Sequence, residues 1–474
     1  MVFTSLHFVV FFAVVYAAYR VLPHRAQNVM LLGASYYFYG SWDWRFLSLL
    51  IGSTLVDFLV ARYLGRETDP RRRKLALILS LVFNLGMIGV FKYFEFFAAS
   101  LVALGDLVGW HFDPVTIHVV LPIGISFYTF MTISYVIDVY RREIPPTTHL
   151  LDFALFVAYF PHLVAGPILR ASLLLPQIEQ PRTITRQQIA GGLWLVGWGC
   201  FQKMFVADNL APLVDSVFGP SATPTGADVV VAAWAFAFQI YGDFAGYSNI
   251  ARGTSRLMGI ELNVNFRFPY FVISPQAFWR HWHISLSTWL RDYLYIPLGG
   301  SREGTWKTHR NLMITMALGG LWHGAAWTFV LWGLYQGSVL VAARAIQQRA
   351  ARAGIVVRTG LNVPRVVLGV VMFHVTCFGW LIFRAESFDQ LLRFVGLVIH
   401  DFRPTQATVD SLLVPLLLVL APLLPIHIFQ ARHDSEDAPL GLPIVVRYAL
   451  YAAVFWAVLL WGDFEGAQFI YFQF

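Results

Sequence analysis

Residues 311–346 read NLMITMALGGLWHGAAWTFVLWGLYQGSVLVAARAI. One helix needs only about 20 residues to cross a hydrocarbon core of roughly 30 Å, so this stretch predicts a path that enters the membrane, breaks and returns. The natural break is the segment GGLWHG at 319–324, because glycine tolerates turns and close backbone approach. Counting about 12 residues from Asn311 at 1.5 Å each places His323 about 18 Å deep, near the bilayer midplane.

The rest of the chain has the composition of a membrane protein. Of its 474 residues, 57% are hydrophobic and 13% are charged, and the mean hydropathy is +0.61; soluble domains are about one-quarter charged. We therefore predict an all-α polytopic membrane protein that forms one domain over 1–474, with about ten to twelve membrane helices and re-entrant or broken segments around a central tunnel. The predicted segments lie near 6–22, 28–41, 45–63, 75–105, 115–140, 151–168, 188–206, 228–250, 311–346, 366–383, 409–429 and 443–462.

Short charged loops predict the orientation of the chain. The basic loops at 62–74 and 141–142 are expected in the cytoplasm, and the acidic loop at 106–113 on the opposite side. Basic stretches at 280–310 and 344–365 flank the 311–346 segment, so both of its ends are expected in the cytoplasm. The net charge of +7 is therefore explained by topology, and we predict a membrane protein surrounded by lipid that does not bind nucleic acid.

His323 is the foremost candidate for a functional residue. An ionisable side chain within the membrane is costly and is a functional hypothesis by default, and this one lies at the predicted break beside Trp322, whose ring would wall off a cavity. The alternative is a structural histidine that donates to a backbone carbonyl, and the local sequence leaves both open. His118 and His374 lie in apolar stretches without such a break, so we interpret them as structural.

A second polar and aromatic segment, 274–293, reads SPQAFWRHWHISLSTWLRDY. Ser274 followed by Pro275 predicts the start of a helix that continues through the segment. The helix either lies at the membrane interface, anchored by Trp and Arg, or forms the lip of a cytoplasmic funnel into which His283 points. His281 and His283 lack a third ligand at metal-site spacing, so we predict no metal.

Polar side chains in two other places are candidates for substrate binding. Asp243 lies in an otherwise apolar segment, where it orients a substrate, pairs with Arg252 or caps a helix. The basic cluster of Arg291, Arg302, Lys307 and Arg310 either contacts the phosphates of a donor or simply encodes topology. The candidate substrate-binding residues are Arg280, Trp282, Asp243, Trp322 and Arg291.

At these residues the chain resembles the membrane-bound O-acyltransferase family, in particular the bacterial branch that contains the membrane proteins of alginate O-acetylation and teichoic-acid D-alanylation. The most specific block runs from 282 to 300, together with the LWHG motif at 321–324. The other motifs that carry the resemblance are Phe91-Lys92-Tyr93, Tyr159-Phe160-Pro161, Ala165-Gly166-Pro167-Ile168 with Arg170, Lys203 with Ala207-Asp208-Asn209, Asp243 to Ser248, Phe278 to Arg280, Phe383-Arg384-Ala385 and Phe469 to Phe474.

The resemblance implies a mechanism for the motifs at about 240–345. His323 matches the catalytic histidine of the family, and His283 matches the second histidine on the cytoplasmic side of the tunnel. A thioester donor on the cytoplasmic side delivers its acyl group through the central pore, and a neutral histidine is suited to act as the general base. Acetyl-CoA is the expected donor substrate, and no bound cofactor is expected.

The resemblance also implies a location in the bacterial inner membrane and an acceptor, which we predict to be an extracytoplasmic polysaccharide. The outward loops are too short to build a cleft for a polymer, so we predict a periplasmic or membrane-anchored partner, an acetyltransferase of the serine-esterase-like SGNH type. Two alternatives stay open at this point. One is D-alanyl transfer from a carrier-protein thioester to teichoic acid, and the other is a polysaccharide transporter or flippase.

Overall fold

The described part of the chain is helical. The computed structural model describes residues 1–111, 120–164, 166–354, 363–464 and 469–470, and none of these residues forms a β-strand. The all-α prediction is therefore confirmed. His118, Ala165 and the end of the terminal motif at 471–474 lie outside the described residues, as do parts of the predicted loops at 106–113 and 344–365.

The first of two compact units comprises Met1–Leu193 and Ile250–Asn263. Its helices begin at ordinary start signals: the Ser5 hydroxyl accepts a hydrogen bond from the Phe8 amide before α1, and Asp69 caps α4 ahead of Pro70. Among the described residues, nine α-helices lie wholly in this unit: α1 (Leu6–Val21), α2 (His24–Asp43), α3 (Leu47–Arg66), α4 (Pro70–Ile88), α5 (Phe94–Leu107), α6 (Ile125–Arg141), α7 (Leu150–Ala158), α8 (Phe160–Leu163) and α9 (Ala171–Glu179).

The second unit comprises Trp194–Asn249 and Val264–Phe474. The prediction of one integral membrane domain stays a prediction beside this division into two units. Two helices, α10 (Arg186–Cys200) and α12 (Gly226–Leu257), contribute residues to both units. The other helices are α11 (Asp208–Phe218), α13 (Pro275–His281), α14 (Ile284–Leu290), α15 (Thr305–His323), α16 (Trp327–Arg352), α17 (Val363–Arg384), α18 (Phe388–His400), α19 (Val414–Arg432) and α20 (Ile444–Trp461).

Within the described ranges, seven helical stretches are long and apolar enough to cross a membrane. The first, His24–Arg66, has 43 residues and contains a break, because Asp43 is extended with φ −157° and ψ 109° between α2 and α3. The chain is therefore a multi-pass membrane protein, while the count of ten to twelve helices and the central tunnel stay predictions. The other six stretches are Pro70–Leu107, Gly226–Leu257, Trp327–Arg352, Pro364–Arg384, Thr408–Arg432 and Ile444–Trp461.

The overlong segment at 311–346 folds as a hairpin of α15 and α16. The break lies at 324–326 and overlaps the predicted 319–324 segment only at Gly324, because α15 stays helical through His323. The two helices of the hairpin pack closely because glycine has no side chain at two contact positions. A methyl group on Gly320 would collide with the carbonyl oxygen of Phe329, and one on Gly333 would collide with that of Met316. The chain leaves the helix at Gly324, which is extended with φ −158° and ψ 152°. Because α15 already begins at Thr305, His323 lies about 27 Å along the helix from its first residue.

The basic loop between α3 and α4 also has a structural role. Arg73 is only 7% exposed. Its guanidinium donates to the carbonyl oxygens of Leu64 and Glu67 at the end of α3, and to that of Tyr140, at 2.7 Å, near the end of α6. The last carbonyls of a helix have no partner within the helix, so one side chain caps two helices.

The hairpin generates a prediction about topology. In α15 and α16, Met313 lies beside Gly337 and Ser338, which puts Lys307 and Gln347 at the same end of the hairpin. Single cysteines at positions 72, 307 and 347, in a variant lacking Cys200 and Cys377, should all react with an impermeant maleimide from the cytoplasmic side.

A cysteine at Trp110, on the opposite side in the predicted topology, is the matched control and should react only from outside. Labelling of positions 307 and 347 from opposite sides of the membrane would contradict the re-entrant hairpin.

Candidate active site

The 274–293 segment starts as a helix where the sequence predicts it, but it is not continuous. The Ser274 hydroxyl accepts a hydrogen bond from the Ala277 amide at 3.2 Å, and Pro275 is the first residue of α13. The helix then ends at His281, and α14 begins at Ile284. The predicted single helix is therefore wrong at Trp282 and His283, where His283 takes the left-handed conformation with φ 41° and ψ 55°.

The break is stabilised by the neighbouring segment at 265–267. This segment supplies a donor and an acceptor for backbone groups that have no partner within the helix. The amide of Arg267 donates to the carbonyl of His281 at 2.9 Å, and the amide of Ile284 donates to the carbonyl of Asn265 at 2.9 Å. Non-helical backbone at membrane depth is tolerated only where protein or water satisfies it. A non-glycine residue at positive φ persists only when its surroundings enforce it, and these bonds supply that enforcement.

Asn265 is central to this arrangement and is only 1% exposed. Its side-chain oxygen accepts from the Ser285 amide at 3.3 Å, and its amide nitrogen donates to the hydroxyl of Ser248 at 3.2 Å. With the backbone bond to Ile284, this one residue ties α12 to the start of α14. It therefore fixes the chain on the C-terminal side of His283.

The break buries His283 completely among aromatic rings. Its exposed fraction is 0%. The ring of Phe244 lies edge-on at 4.6 Å between centroids, and that of Phe266 lies roughly parallel at 6.4 Å. The imidazole therefore lies in an aromatic enclosure that excludes bulk water.

The second break places His323 at the last position of α15. The chain turns here because Gly324 lies against the ring of Phe329, where any Cβ would collide with the ring atoms. His323 is 4% exposed, and the rings of Trp332 and Phe383 lie nearly perpendicular to it at 5.0 and 5.4 Å. A histidine at a helix end is thus held by rings that come from two other helices.

The two breaks bring the predicted histidines together. The ring centroids of His283 and His323 are 6.4 Å apart, and the ring of Trp322 lies 5.8 Å from His283 and 5.0 Å from His323. Two imidazoles at this separation leave space for only a small group between them. In a setting poor in water, such a pair can accept and return one proton while a reactive acyl group is protected from hydrolysis.

Asp243 lies in a buried ionic cluster. Its carboxylate accepts from the Lys203 ammonium at 2.8 Å, and Asp208 accepts from the same ammonium at 2.6 Å. All three side chains are almost fully buried. Of the readings left open by the sequence, the structure places Asp243 in an ion pair, with Lys203 as the partner.

Asp243 has a further bond that no local sequence pattern indicates. It accepts the backbone amide of Ile470 at 2.7 Å. The neighbouring Phe469 is 0% exposed and packs on Tyr247 at 4.6 Å and on Phe244 at 5.6 Å. Phe244 also contacts the ring of His283. The segment at 469–470 therefore packs on a ring that forms the histidine enclosure.

The remaining predicted residues lie around the enclosure or on the surface. Trp282 is 1% exposed and packs on Phe278 and on Trp380, with centroids at 5.6 and 4.7 Å. It therefore belongs to the aromatic layer next to His283. Arg280 and Arg291 are exposed, and Arg291 pairs with Asp292 at 2.6 Å. The surface position of these two arginines separates them from the buried histidines.

Sequence reasoning gave no role to Lys203, Asp208, Asn265 or His427, although each is buried. Lys203 and Asp208 had a visible signal, since both are charged residues in an apolar stretch. They meet because Phe201–Ala207 forms a π-helical turn, in which the Asp208 amide donates to the Lys203 carbonyl. Across the described ranges, no group of three or more His, Cys, Asp or Glu side chains is placed to hold a metal ion.

The fold and this site define a class of protein: a multi-pass helical membrane protein with two histidines buried at helix breaks. The family model described as the membrane-bound O-acyltransferase family matches residues 139–382. The chain is 41% identical over 467 residues to a probable alginate O-acetylase of Azotobacter vinelandii, covering 93% of this chain and 90% of the relative. This chain therefore belongs to the membrane-bound O-acyltransferase family, and it is an O-acyltransferase.

Two other relatives differ in how much of the chain they share. A peptidoglycan O-acetyltransferase of Helicobacter pylori is 33% identical over 421 residues, covering 82% of this chain and 78% of the relative. A teichoic acid D-alanyltransferase of Streptococcus thermophilus is 26% identical over 236 residues, covering 46% of this chain and 56% of the relative. The similarity to the O-acetylating proteins is thus both higher and more extensive.

The bonds of Asn265 predict a positioning role. Asn265→Leu should lower the rate of acyl transfer roughly a hundredfold, because a displacement of about 1 Å in a reacting group has that cost. Asn265→Asp keeps the side-chain acceptor for the Ser285 amide, which leucine removes, and should retain more activity than the leucine variant. Transfer of radiolabelled acetyl groups by purified protein is the measurement.

Asn263→Leu, two positions earlier and half-buried, is the matched control and should stay near wild type. Equal activities of the Asn265→Leu and Asn263→Leu proteins would exclude the positioning role.

Proposed function

We propose that this protein takes an acetyl group from acetyl-CoA on the cytoplasmic side and passes it through the membrane for O-acylation of an extracytoplasmic polysaccharide. The observation that carries this proposal is the pair of buried histidines, 6.4 Å apart, at two helix breaks. His323 is the general base that removes the proton from the accepting hydroxyl. His283 lies on the donor side and positions the thioester.

The chemistry needs little beyond this pair. The acyl carbon of a thioester is already activated, so the transfer requires no ATP and no bound cofactor. A positioned general base contributes typically about 10²–10⁴-fold. The aromatic enclosure supports the assignment because it slows hydrolysis of the donor by keeping water away from it.

The donor's phosphates are assigned to the basic surface that carries Arg291, Arg302, Lys307 and Arg310. All four side chains are exposed, which suits a soluble, polyanionic ligand. Two of them already have acidic neighbours, since Lys307 pairs with Glu303 at 2.9 Å and Arg291 with Asp292. The positive-inside rule accounts for the same charges without a ligand. The proposal therefore depends on the histidine pair, and the basic surface is consistent with it.

The acceptor is assigned from the relatives. Those that align with most of the chain are named for O-acetylation of alginate and of peptidoglycan, both polysaccharides. D-alanyl transfer is the less favoured alternative because the D-alanyltransferases are 26% identical to this chain and align with 46% and 56% of it, both lower than the values for the O-acetylating relatives. With an acceptor outside the cell and a donor inside it, the protein belongs in the bacterial cytoplasmic membrane, which in a bacterium with two membranes is the inner one.

Substitution of the histidines tests the mechanism. His323→Gln keeps size and polarity but cannot act as a base, so acetyl transfer should fall by about 10²–10⁴-fold. His283→Gln should lower activity less and raise the KM for acetyl-CoA. The measurement is transfer of radiolabelled acetyl from acetyl-CoA to the hydroxyls of added polysaccharide by purified protein, with release of the CoA thiol. A transporter or flippase would not catalyse this reaction.

His433→Ala removes an exposed histidine at the end of α19 and is the control that should keep wild-type activity. Retention of more than about a tenth of wild-type activity in His323→Gln would reject the general-base assignment.

The short outward loops predict a second protein in the reaction. We propose that a periplasmic or membrane-anchored acetyltransferase of the serine-esterase-like SGNH type receives the acetyl group above the histidine pair and transfers it to the sugar. Proteoliposomes that contain only this chain, with acetyl-CoA on the cytoplasmic side and polymer on the other, should therefore acetylate the polymer at a small fraction of the rate seen with the partner.

Efficient acetylation of the polymer in proteoliposomes without a second protein would make this chain the complete enzyme and would reject the relay. The His323→Gln protein is the control in both preparations, because any polymer acetylation that survives in it does not pass through this site.

A further inference from the structure

The second unit contains a large apolar cavity that the acyl-transfer mechanism does not use. Its volume is ≈ 730 Å³, within the range of about 300–1,000 Å³ that is usual for small-molecule sites. Its walls come from α12, α17 and α19 and from the segment at 268–273. Neither His283 nor His323 is among the lining residues.

The position of the cavity indicates where its occupant comes from. All three wall helices belong to the stretches that are long and apolar enough to cross the membrane. On α17, Val366 and Val370 line the cavity and are each 53% exposed, and Leu417 on α19 lines it and is 56% exposed. The cavity therefore opens sideways, toward the hydrocarbon of the bilayer.

The directions of the wall helices follow from contacts at their two ends. Thr408, just before α19, donates to Asp228 near the start of α12, and Tyr241 further along α12 lies beside His427 of α19 with ring centroids at 5.3 Å. These two helices run parallel. The ring of Trp234 on α12 contacts that of His374 on α17 at 5.7 Å.

The direction of α17 follows from a smaller cavity next to the large one. Val229, one turn before Trp234, lines it together with Leu381, two turns after His374. Consequently α17 runs antiparallel to α12. Its first turn, with Arg365, reaches the same end of the large cavity as Tyr241 and His427.

The cavity therefore has most of its polar groups at one end. Arg365, Tyr241 and His427 lie at the polar end, where the Tyr241 hydroxyl and the His427 Nε2 are 3.4 Å apart. Leu413, Leu416 and Leu417 line the opposite end, and His374 of α17 also lines the wall. A molecule that fits has one charged or polar end and a long apolar chain, and the Arg365 guanidinium makes the favoured end an anion.

We propose that this cavity binds one acyl chain of an anionic phospholipid, whose phosphate lies at Arg365. Basic residues at the cytoplasmic ends of membrane helices commonly hold lipid phosphates, and the basic flank at 344–365 assigns this end of the cavity to the cytoplasmic leaflet. The chain extends along α19 toward Leu413. The ester region lies near Tyr241 and His427, which are the polar groups deepest in the wall.

The bound lipid supports the wall of the active site. Tyr241 and Tyr270 line the cavity on one side and pack on Trp282 on the other, with centroids at 6.3 and 6.1 Å. Trp282 immediately precedes His283 in the chain. An acyl chain that fills the cavity thus keeps the aromatic layer beside His283 in place. The bound lipid then has a structural role in the active site, in addition to forming the bilayer around the protein.

Two substitutions that fill the cavity test the proposal. A side chain at Gly369 has room to point inward, because its Cβ would meet only Ile273, at 4.0 Å. Gly369→Leu and, from the opposite wall, Leu417→Trp should each lower the amount of phospholipid that stays with the purified protein by about tenfold or more. The measurement is native mass spectrometry after exchange into detergent, followed by addition of phosphatidylglycerol or phosphatidylethanolamine.

The controls are Val367→Leu and Leu418→Trp, which place similar side chains on the same helices at positions that do not line the cavity. Both should retain lipid as the wild type does. Arg365→Gln should still bind lipid but should lose the wild type's preference for phosphatidylglycerol over phosphatidylethanolamine.

Three outcomes would overturn the proposal: wild-type phospholipid content in both filled variants, no preference between the two lipids in the wild type, or a polyprenyl phosphate as the retained molecule. None of these outcomes would bear on the acetyl-transfer mechanism, since His323→Gln is measured separately.

Discussion

The structure depends on one constraint, namely that backbone amides and carbonyls inside a membrane need hydrogen-bond partners. A chain in lipid satisfies this most simply with unbroken helices, yet the predicted catalytic histidines both lie where helices stop. At His283 the missing bonds are supplied by the backbone and side chain of the 265–267 segment. At His323 the chain turns through Gly324 inside a hairpin packed on glycines. At His283, therefore, protein groups take the place of water as the hydrogen-bond partners of the interrupted backbone.

Much of this arrangement could be predicted from the sequence, since it depends on local patterns. Hydropathy predicted the seven described helical stretches that are long and apolar enough to cross a membrane, and the length of the 311–346 stretch together with its glycines predicted the turn after His323. The pair Ser274-Pro275 located the start of α13. Each of these signals lies within a few residues of the feature it predicts, and the helix is formed by bonds of equally short range.

The features that the sequence did not predict depend on contacts between residues that are far apart in the chain. The break at His283 needs Asn265, which has no helix-breaking pattern of its own, and glycine is absent from the break itself. The ion pair of Asp243 with Lys203 joins residues on two different helices. Arg73 was read only as a topology signal, although it caps α3 and α6. Burial and pairing of a charge are properties of the assembled fold, so a window of sequence cannot contain them.

The bond from the Ile470 amide to Asp243 spans 227 positions of sequence, and it has a consequence for biosynthesis. Ribosomes add about 5–20 residues per second, so roughly 10–45 s separate the emergence of α12 from that of the segment that completes it. During this interval Asp243 and the ring of Phe244 are already in the membrane while their last supporting contacts have not been made. The nascent protein therefore carries an unfinished enclosure around His283 during this interval, and a translocon or lipid must shelter that surface until the segment at 469–470 arrives.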